Sequence, residues 1–162
     1  QQQLKIEISA NLPPLKTHLP SLERIVTELL NNACKYTQSG ETITISAQSC
    51  AMPLLDNSLN TLPTVSETAS GWGKVRDRSP ALSVDGPPPL LLQVSNTGVE
   101  IPAEECDRIF EKFYRIPQND PWKHGGTGLG LAMVKKLSQE LGAEISVRSG
   151  DNQTTFTLRF PP

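Results

Sequence analysis

ELLNNACKYT, residues 28–37, combines a helical period with an odd polar content. Glu28, Asn32 and Lys35 stand at i, i+4 and i+7. At about 100° per residue this spacing puts a carboxylate, an amide and an ammonium on one narrow stripe. Leu22, Ile25, Val26, Leu29, Leu30, Ala33 and Tyr36 fall on the opposite arc. Residues 21–37 therefore read as an amphipathic helix with a packed underside, and Ser21 is a competent cap for its start. A polar helical stripe ordinarily faces water, and only the rest of the chain gives this one another reading.

Upstream, LKIEIS (residues 4–9) alternates as a strand and NLPPL breaks it with two prolines. Downstream, Ser39-Gly40 marks a turn before TITISA alternates again. From residue 48 to 89 the chain is rich in Ser, Thr, Pro and Gly without a sustained period, which reads as a mobile insertion with Trp72 as a local anchor. Order resumes with LLLQVSN (residues 90–96), an apolar run suited to a central strand. IPAEECDRIFEKFYR reads as a short helix and its exit, with Ile109, Phe110 and Phe113 able to bury. A second strong helix follows TGLGLAMVKKLSQEL and stops at Gly142. AEISVRS and TTFTLRF flank Gly150-Asp151-Asn152 as a closing hairpin. Mixed strands and helices in this order predict an α/β protein with a sheet covered by helices on one face.

The chain has 162 residues, enough for one ordinary domain, and its formal net charge of -2 argues against nucleic acid as a partner. Negative ligands must be held by local devices. Cys34, Cys50 and Cys106 are widely spaced without a CxxC pattern, so neither a disulfide framework nor a zinc site is suggested and a reducing compartment fits. QQQLKIEIS is no signal peptide, and no stretch has the apolar length to cross a bilayer. The expected location is cytoplasmic, compatible with membrane anchoring of a longer protein.

Three further stretches carry chemistry. In HGGTGLGLA, Gly125, Gly126, Gly128 and Gly130 lead into a helix, a junction that offers free N–H groups and the positive end of the helix dipole to a phosphate. It is neither a GxxxxGK[ST] phosphate loop nor a dinucleotide fingerprint. In SNTGVEIP, Asn96 ends an apolar strand before the tight turn at Gly98, so its amide can address a base edge from the sheet. In IFEKFYR, Arg115 is left at the start of a polar loop, where it can clamp a phosphate or remain a solvated surface charge.

ELLNNACKYT, VSNTGVEIP, IFEKFYR and GGTGLGLAMVKKL, in this order, resemble the N box, first glycine box, F box and second glycine box of sensor histidine kinases. The resemblance spans nearly the whole chain outside residues 48–89, and the wording VEIP and DPWKHGGTGLGLA is closest to cyanobacterial kinases. It implies the Bergerat-type fold shared with type II topoisomerases, the ninety-kilodalton heat-shock chaperone and mismatch-repair ATPases. That fold is a two-layer α/β sandwich, a mixed sheet under helices with a flexible lid over ATP.

The same resemblance implies roles. Asn32 would be the magnesium ligand, Lys35 would neutralise phosphate charge and Tyr36 would pack near the nucleotide. Glu28 would polarise the attacking nucleophile or join the magnesium's surroundings. Arg115 would meet the terminal phosphate, and Gly126, Thr127, Gly128, Leu129 and Gly130 would hold the phosphate chain. Asn96, Gly98, Ile101 and Phe113 would contact the nucleotide, and residues 115–127 would form the lid, with Lys123 and His124 as extra phosphate contacts.

Two positions depart from the family's Asp-x-Gly-x-Gly: Asn96 replaces the Asp and Glu100 the second Gly, which predicts ATP binding weaker by about 1 kcal/mol. Neither His18 nor His124 lies in an H-E-type motif, so the phosphoacceptor histidine is expected on a separate dimerisation domain of the same protein. A response regulator is the expected downstream partner, and the isolated domain is expected to be monomeric. Two alternatives stay open: an ATP-hydrolysing relative of the topoisomerase or chaperone kind, favoured by Glu28, and a pseudokinase interaction module, favoured by Asn96 and Glu100.

Overall fold

The computed structural model describes residues 1–49, 88–117 and 126–162. The expected insertion lies almost wholly outside the described residues, except that Gln48 and Ser49 belong to a strand. Lys123, His124 and Gly125 also lie outside them.

Five strands form one sheet: β1 (Gln3–Ile8), β2 (Thr42–Ser49), β3 (Leu90–Thr97), β4 (Glu144–Gly150) and β5 (Gln153–Phe160), in the order β1-β2-β3-β5-β4. β1 runs parallel to β2, because α1 (Leu19–Tyr36) carries the chain back between them; the other pairings are antiparallel. LLLQVSN is the central strand, as its apolar run requires. The closing hairpin turns on Asp151 and Asn152 alone, at φ 53 and φ 60. Two successive positive φ values make the right-twisting two-residue turn for which Asp and Asn are suited.

Alternation sorts the sheet into two faces. Ile43, Val94, Phe156 and Leu158 point to one side and meet Ile25, Leu29 and Ala33 of α1 and Val134 of α2 (Gly130–Glu140) in a single core. The other side is polar apart from the buried Leu91: Gln93 donates to Thr157 Oγ1 at 3.0 Å, and Ser95 and Thr155 pair at 2.8 Å. Helices on one face only are what such a two-sided sheet can support.

Three local expectations are corrected. α1 begins at Leu19, because Pro20 suits a first turn; Ser21 Oγ pairs with His18 Nδ1 at 2.8 Å and caps nothing. Residues 103–110 form two single 3₁₀ turns, Ala103–Glu105 and Arg108–Phe110, instead of one helix. Ile109 and Phe110 both anchor to the core, Phe110 meeting Phe156 edge-on at 6.4 Å, and the chain turns extended at Glu111, ψ 147. Phe113 does not bury: it is 72% exposed, at φ 65. α2 ends where expected, with Ala143 N–H bonded to Ser138 O and Gly142 N–H to Gln139 O while Gly142 takes φ 68.

Candidate functional site

The polar stripe of α1 forms one wall of a cavity of about 530 Å³, within the range of small-ligand sites. Gly126, Thr127, Gly128 and Gly130 form the wall opposite. The two walls are in register. A Cβ placed on Gly126 would stand 2.9 Å from Lys35 Nζ, and one on Gly130 would stand 2.8 Å from Glu28 Oε2. Asn32 lies between these ends of the stripe, and its Nδ2 is buried without a hydrogen-bond partner. A buried amide N–H without a partner costs free energy, so this position is held at a cost to stability.

The start of α2 has no side-chain cap; its N-cap residue is Leu129. Its first-turn N–H groups and the helix dipole are thus directed at the cavity, an arrangement that receives anions. Glycine is required at 128, where φ is 70 and a Cβ would lie 2.7 Å from the backbone carbon of Phe113. That contact accompanies a 2.9 Å bond from Phe113 N–H to Gly128 O, which brings the two ends of residues 113–128 together.

Glu28 is not a lone acid: Arg24 pairs with its Oε1 at 2.8 Å. Lys35 Nζ also lies 4.7 Å from the centre of the Tyr36 ring, on the same wall. Arg115 lies at the cavity rim with Tyr114 and Ile116.

Asn96 is 4% exposed and lines the cavity floor with Val99, Glu100 and Ile101. The segment 98–101 that carries this floor is fastened to the β4–β5 hairpin at each residue. Gly98 N–H donates to Asn152 O at 2.9 Å, and Thr154 Oγ1 donates to Val99 O at 2.8 Å. Glu100 Oε1 accepts from Asn152 N–H, and Ile101 N–H donates to Ser149 Oγ at 2.7 Å. The carboxylate that replaces the family's second glycine therefore grips the hairpin backbone.

Of the expected site residues, Glu28, Asn32, Lys35, Tyr36, Asn96, Ile101, Arg115, Gly126, Thr127, Gly128 and Gly130 line the cavity; Gly98, Phe113 and Leu129 do not. Gly98 is needed for the turn, at φ 76, where a Cβ would stand 2.7 Å from Glu41 Cγ. Sequence reasoning missed Thr154 and Tyr114. Thr154 is 2% exposed and opposes Asn96 across β3 and β5. Tyr114 bonds Glu105 through its hydroxyl, with Arg108 4.2 Å from its ring centre. That bond to Glu105, followed by burial, pushes the phenol above the ordinary tyrosine pKa. Burial, then Asp107 and Glu104, pushes the Cys106 thiol up as well.

Residues 17–162 match the family described as histidine kinase-, DNA gyrase B-, and HSP90-like ATPase. Sensor histidine kinase Hik2 of Thermosynechococcus vestitus is 33% identical over 159 residues, covering 96% of this chain and 32% of that protein. Histidine protein kinase SaeS of Staphylococcus epidermidis is 28% identical over 156 residues, covering 96% of this chain and 35% of its own length. The chain thus spans about a third of the length of these curated relatives. Among solved structures, a nucleotide-free catalytic domain of histidine kinase ThkA superposes with a TM-score of 0.65 at 18% identity, over 99% of this chain and 80% of that one. Full-length ShkA in complex with AMPPNP gives 0.65 at 22% identity, over 99% of this chain and 25% of that one. These likenesses extend the match in fold to the mixed sheet and its helices. No described helix is long and apolar enough to cross a membrane. The chain belongs to the histidine kinase-, DNA gyrase B-, and HSP90-like ATPase family, as a homologue of sensor histidine kinase catalytic domains.

Proposed function

We propose that this domain binds Mg-ATP in the cavity between α1 and the start of α2 and presents the terminal phosphoryl group to a histidine on a separate domain. A response-regulator aspartate is the acceptor after that histidine. The observation that carries the reading is the register of the two walls, with Lys35 opposite Gly126, Glu28 opposite Gly130 and the orphaned Asn32 amide between them. Lys35 and the uncapped helix start supply positive potential to a phosphate chain, and Asn96 at the floor offers an amide oxygen to an adenine amino group. The structure of full-length ShkA in complex with AMPPNP accords with a nucleotide in this fold.

The donor set fits a hard cation at one point: Asn32 lines the cavity with its Nδ2 buried, and its amide oxygen is the donor that would hold the ion. Magnesium would supply charge neutralisation of the phosphates. Arg24 pairs with Glu28 Oε1 and offsets part of its charge, which counts against the hydrolytic reading, while Oε2 stays directed at Gly130. With Glu100 bonded to Asn152, its charge is partly satisfied away from the nucleotide, which counts against the pseudokinase reading. The domain's own contribution is positioning and charge neutralisation. Phe113 and Leu129, 72% and 38% exposed beside the cavity, form the apolar surface on which the histidine-bearing domain docks.

Titration with a fluorescent ATP analogue, with and without magnesium, tests this. Wild type should bind more tightly with the metal, and Asn32→Ala should lose that increment while keeping the metal-free affinity. No binding at millimolar nucleotide would refute the function; equal affinity with and without magnesium would remove Asn32 from its role.

A further inference from the structure

β1 is an edge strand whose apolar residues have no cover. Leu4, Ile6 and Ile8 are 63%, 63% and 55% exposed, although their register partners Ile43, Ile45 and Ala47 on β2 continue the core face of the sheet. Beyond β1 no further strand is present among the described residues. Natural edges of this kind are usually short, bulged or covered.

The polarity of the open edge follows from its hydrogen bonds. Gln3 N–H donates to Glu41 O at 3.0 Å and Ser9 N–H to Ala47 O at 2.9 Å, so the odd-numbered residues face β2. In a parallel ladder the alternate residues then turn N–H and C=O outward, and here these are Leu4, Ile6 and Ile8. The sequence LKIEI is also self-complementary about Ile6: apolar residues lie at 4, 6 and 8, with Lys5 on one side and Glu7 on the other. In an antiparallel pairing of two such strands, Ile6 opposes Ile6 and Leu4 opposes Ile8, all through outward-facing backbone groups. Lys5 then opposes Glu7 twice, at the closer, non-hydrogen-bonded positions. At present Lys5 and Glu7 pair only with each other along the strand, at 2.6 Å and largely in solvent.

We propose that β1 is a docking edge for a second copy of this chain, joined by an antiparallel β1–β1 pairing about a two-fold axis at Ile6. The pairing would merge two sheets into one and place both apolar rows on the same face. An isologous contact of this kind closes on itself, so it yields a dimer and no fibre. The monomer expected from sequence is then the dilute limit of an association equilibrium. The inference goes beyond the proposed function and does not rest on it.

Sedimentation of the 162-residue chain from micromolar to millimolar concentration, at low salt, tests this. A concentration-dependent dimer is expected. Lys5→Glu sets two like charges opposite Glu7 and should weaken dimerisation about tenfold. Lys5→Glu/Glu7→Lys restores the pairing and should return affinity to within about threefold of wild type. Both positions are exposed, so circular dichroism should be unchanged in every variant. Amide exchange at Leu4, Ile6 and Ile8 should slow in the dimer and not in Lys5→Glu. A monomer at all concentrations, a dimer indifferent to Lys5→Glu, a double swap that fails to restore it, or open-ended aggregation would each overturn the proposal. A monomer whose β1 amides are already protected would mean that another segment covers the edge, and would overturn it equally.

Discussion

The ammonium of Lys35 stands 2.9 Å from where a Cβ on Gly126 would be, so α1 and the glycine segment approach each other across the cavity with a cation already at the junction. Lys35→Met keeps the chain length and removes the charge. ATP affinity should fall about tenfold to a hundredfold, the range for a charge-assisted hydrogen bond, while adenosine affinity should not change. Calorimetric titration with both ligands separates the two outcomes, and an equal loss for adenosine would assign Lys35 to packing.

Gly128→Ala and Gly130→Ala should differ sharply. At 128 the new methyl group meets backbone atoms of Phe113 and Tyr114 within 2.9 Å, at φ 70, and neither side can yield. A loss of about 2–3 kcal/mol is expected in urea unfolding. At 130 the obstacle is the end of the Glu28 side chain, which can move, and alanine favours the helix. Gly130→Ala should stay within about 1 kcal/mol of wild type.

Thr154→Val removes the donor to Val99 O and the 2.8 Å partner of Ser149 Oγ. Stability should drop by about 1–2 kcal/mol, and ATP affinity should weaken as the floor loosens. Thr154→Ser restores the hydroxyl and should recover both. Recovery of stability without recovery of affinity would separate the floor from the ligand.

Tyr114 should titrate late. Its protonated form is favoured in the folded state by the bond to Glu105, so its folded pKa lies above its unfolded one. The stabilisation is fully present below the unfolded pKa, near 10, and is lost as pH rises through the folded value. The chain has two tyrosines, so in a Tyr36→Phe background ultraviolet absorbance reports Tyr114 alone. Its midpoint should exceed that of the urea-unfolded protein, and Glu105→Gln should bring the two closer.

Much of this was legible because periodicity and turn chemistry act locally. The 3.6-residue period of α1 exposed its polar stripe, strand alternation gave the sheet, and Asp151-Asn152 announced the hairpin. What stayed hidden depends on contacts distant in sequence. Thr154 looks like any strand threonine until Val99, 55 residues earlier, supplies its acceptor. Gly98 looked like a ligand contact, whereas the Glu41 side chain packed against it explains its need for no Cβ. Phe113 obeys the rule that aromatics bury in every respect but backbone: the tie to Gly128 holds it at a positive φ with its ring outside. Residues 103–110 read as one helix in sequence because composition does not show the break between Ala103–Glu105 and Arg108–Phe110, nor the extended backbone at Glu111.

The grip of Asn152 on Gly98 and Glu100 gives the β4–β5 turn a share in the pocket it does not line. Anyone transplanting this pocket onto another scaffold would have to carry the hairpin tip as well, since the residues of its floor are held by it. A catalogue of ligand contacts would leave it out, and the graft would arrive with a sagging floor.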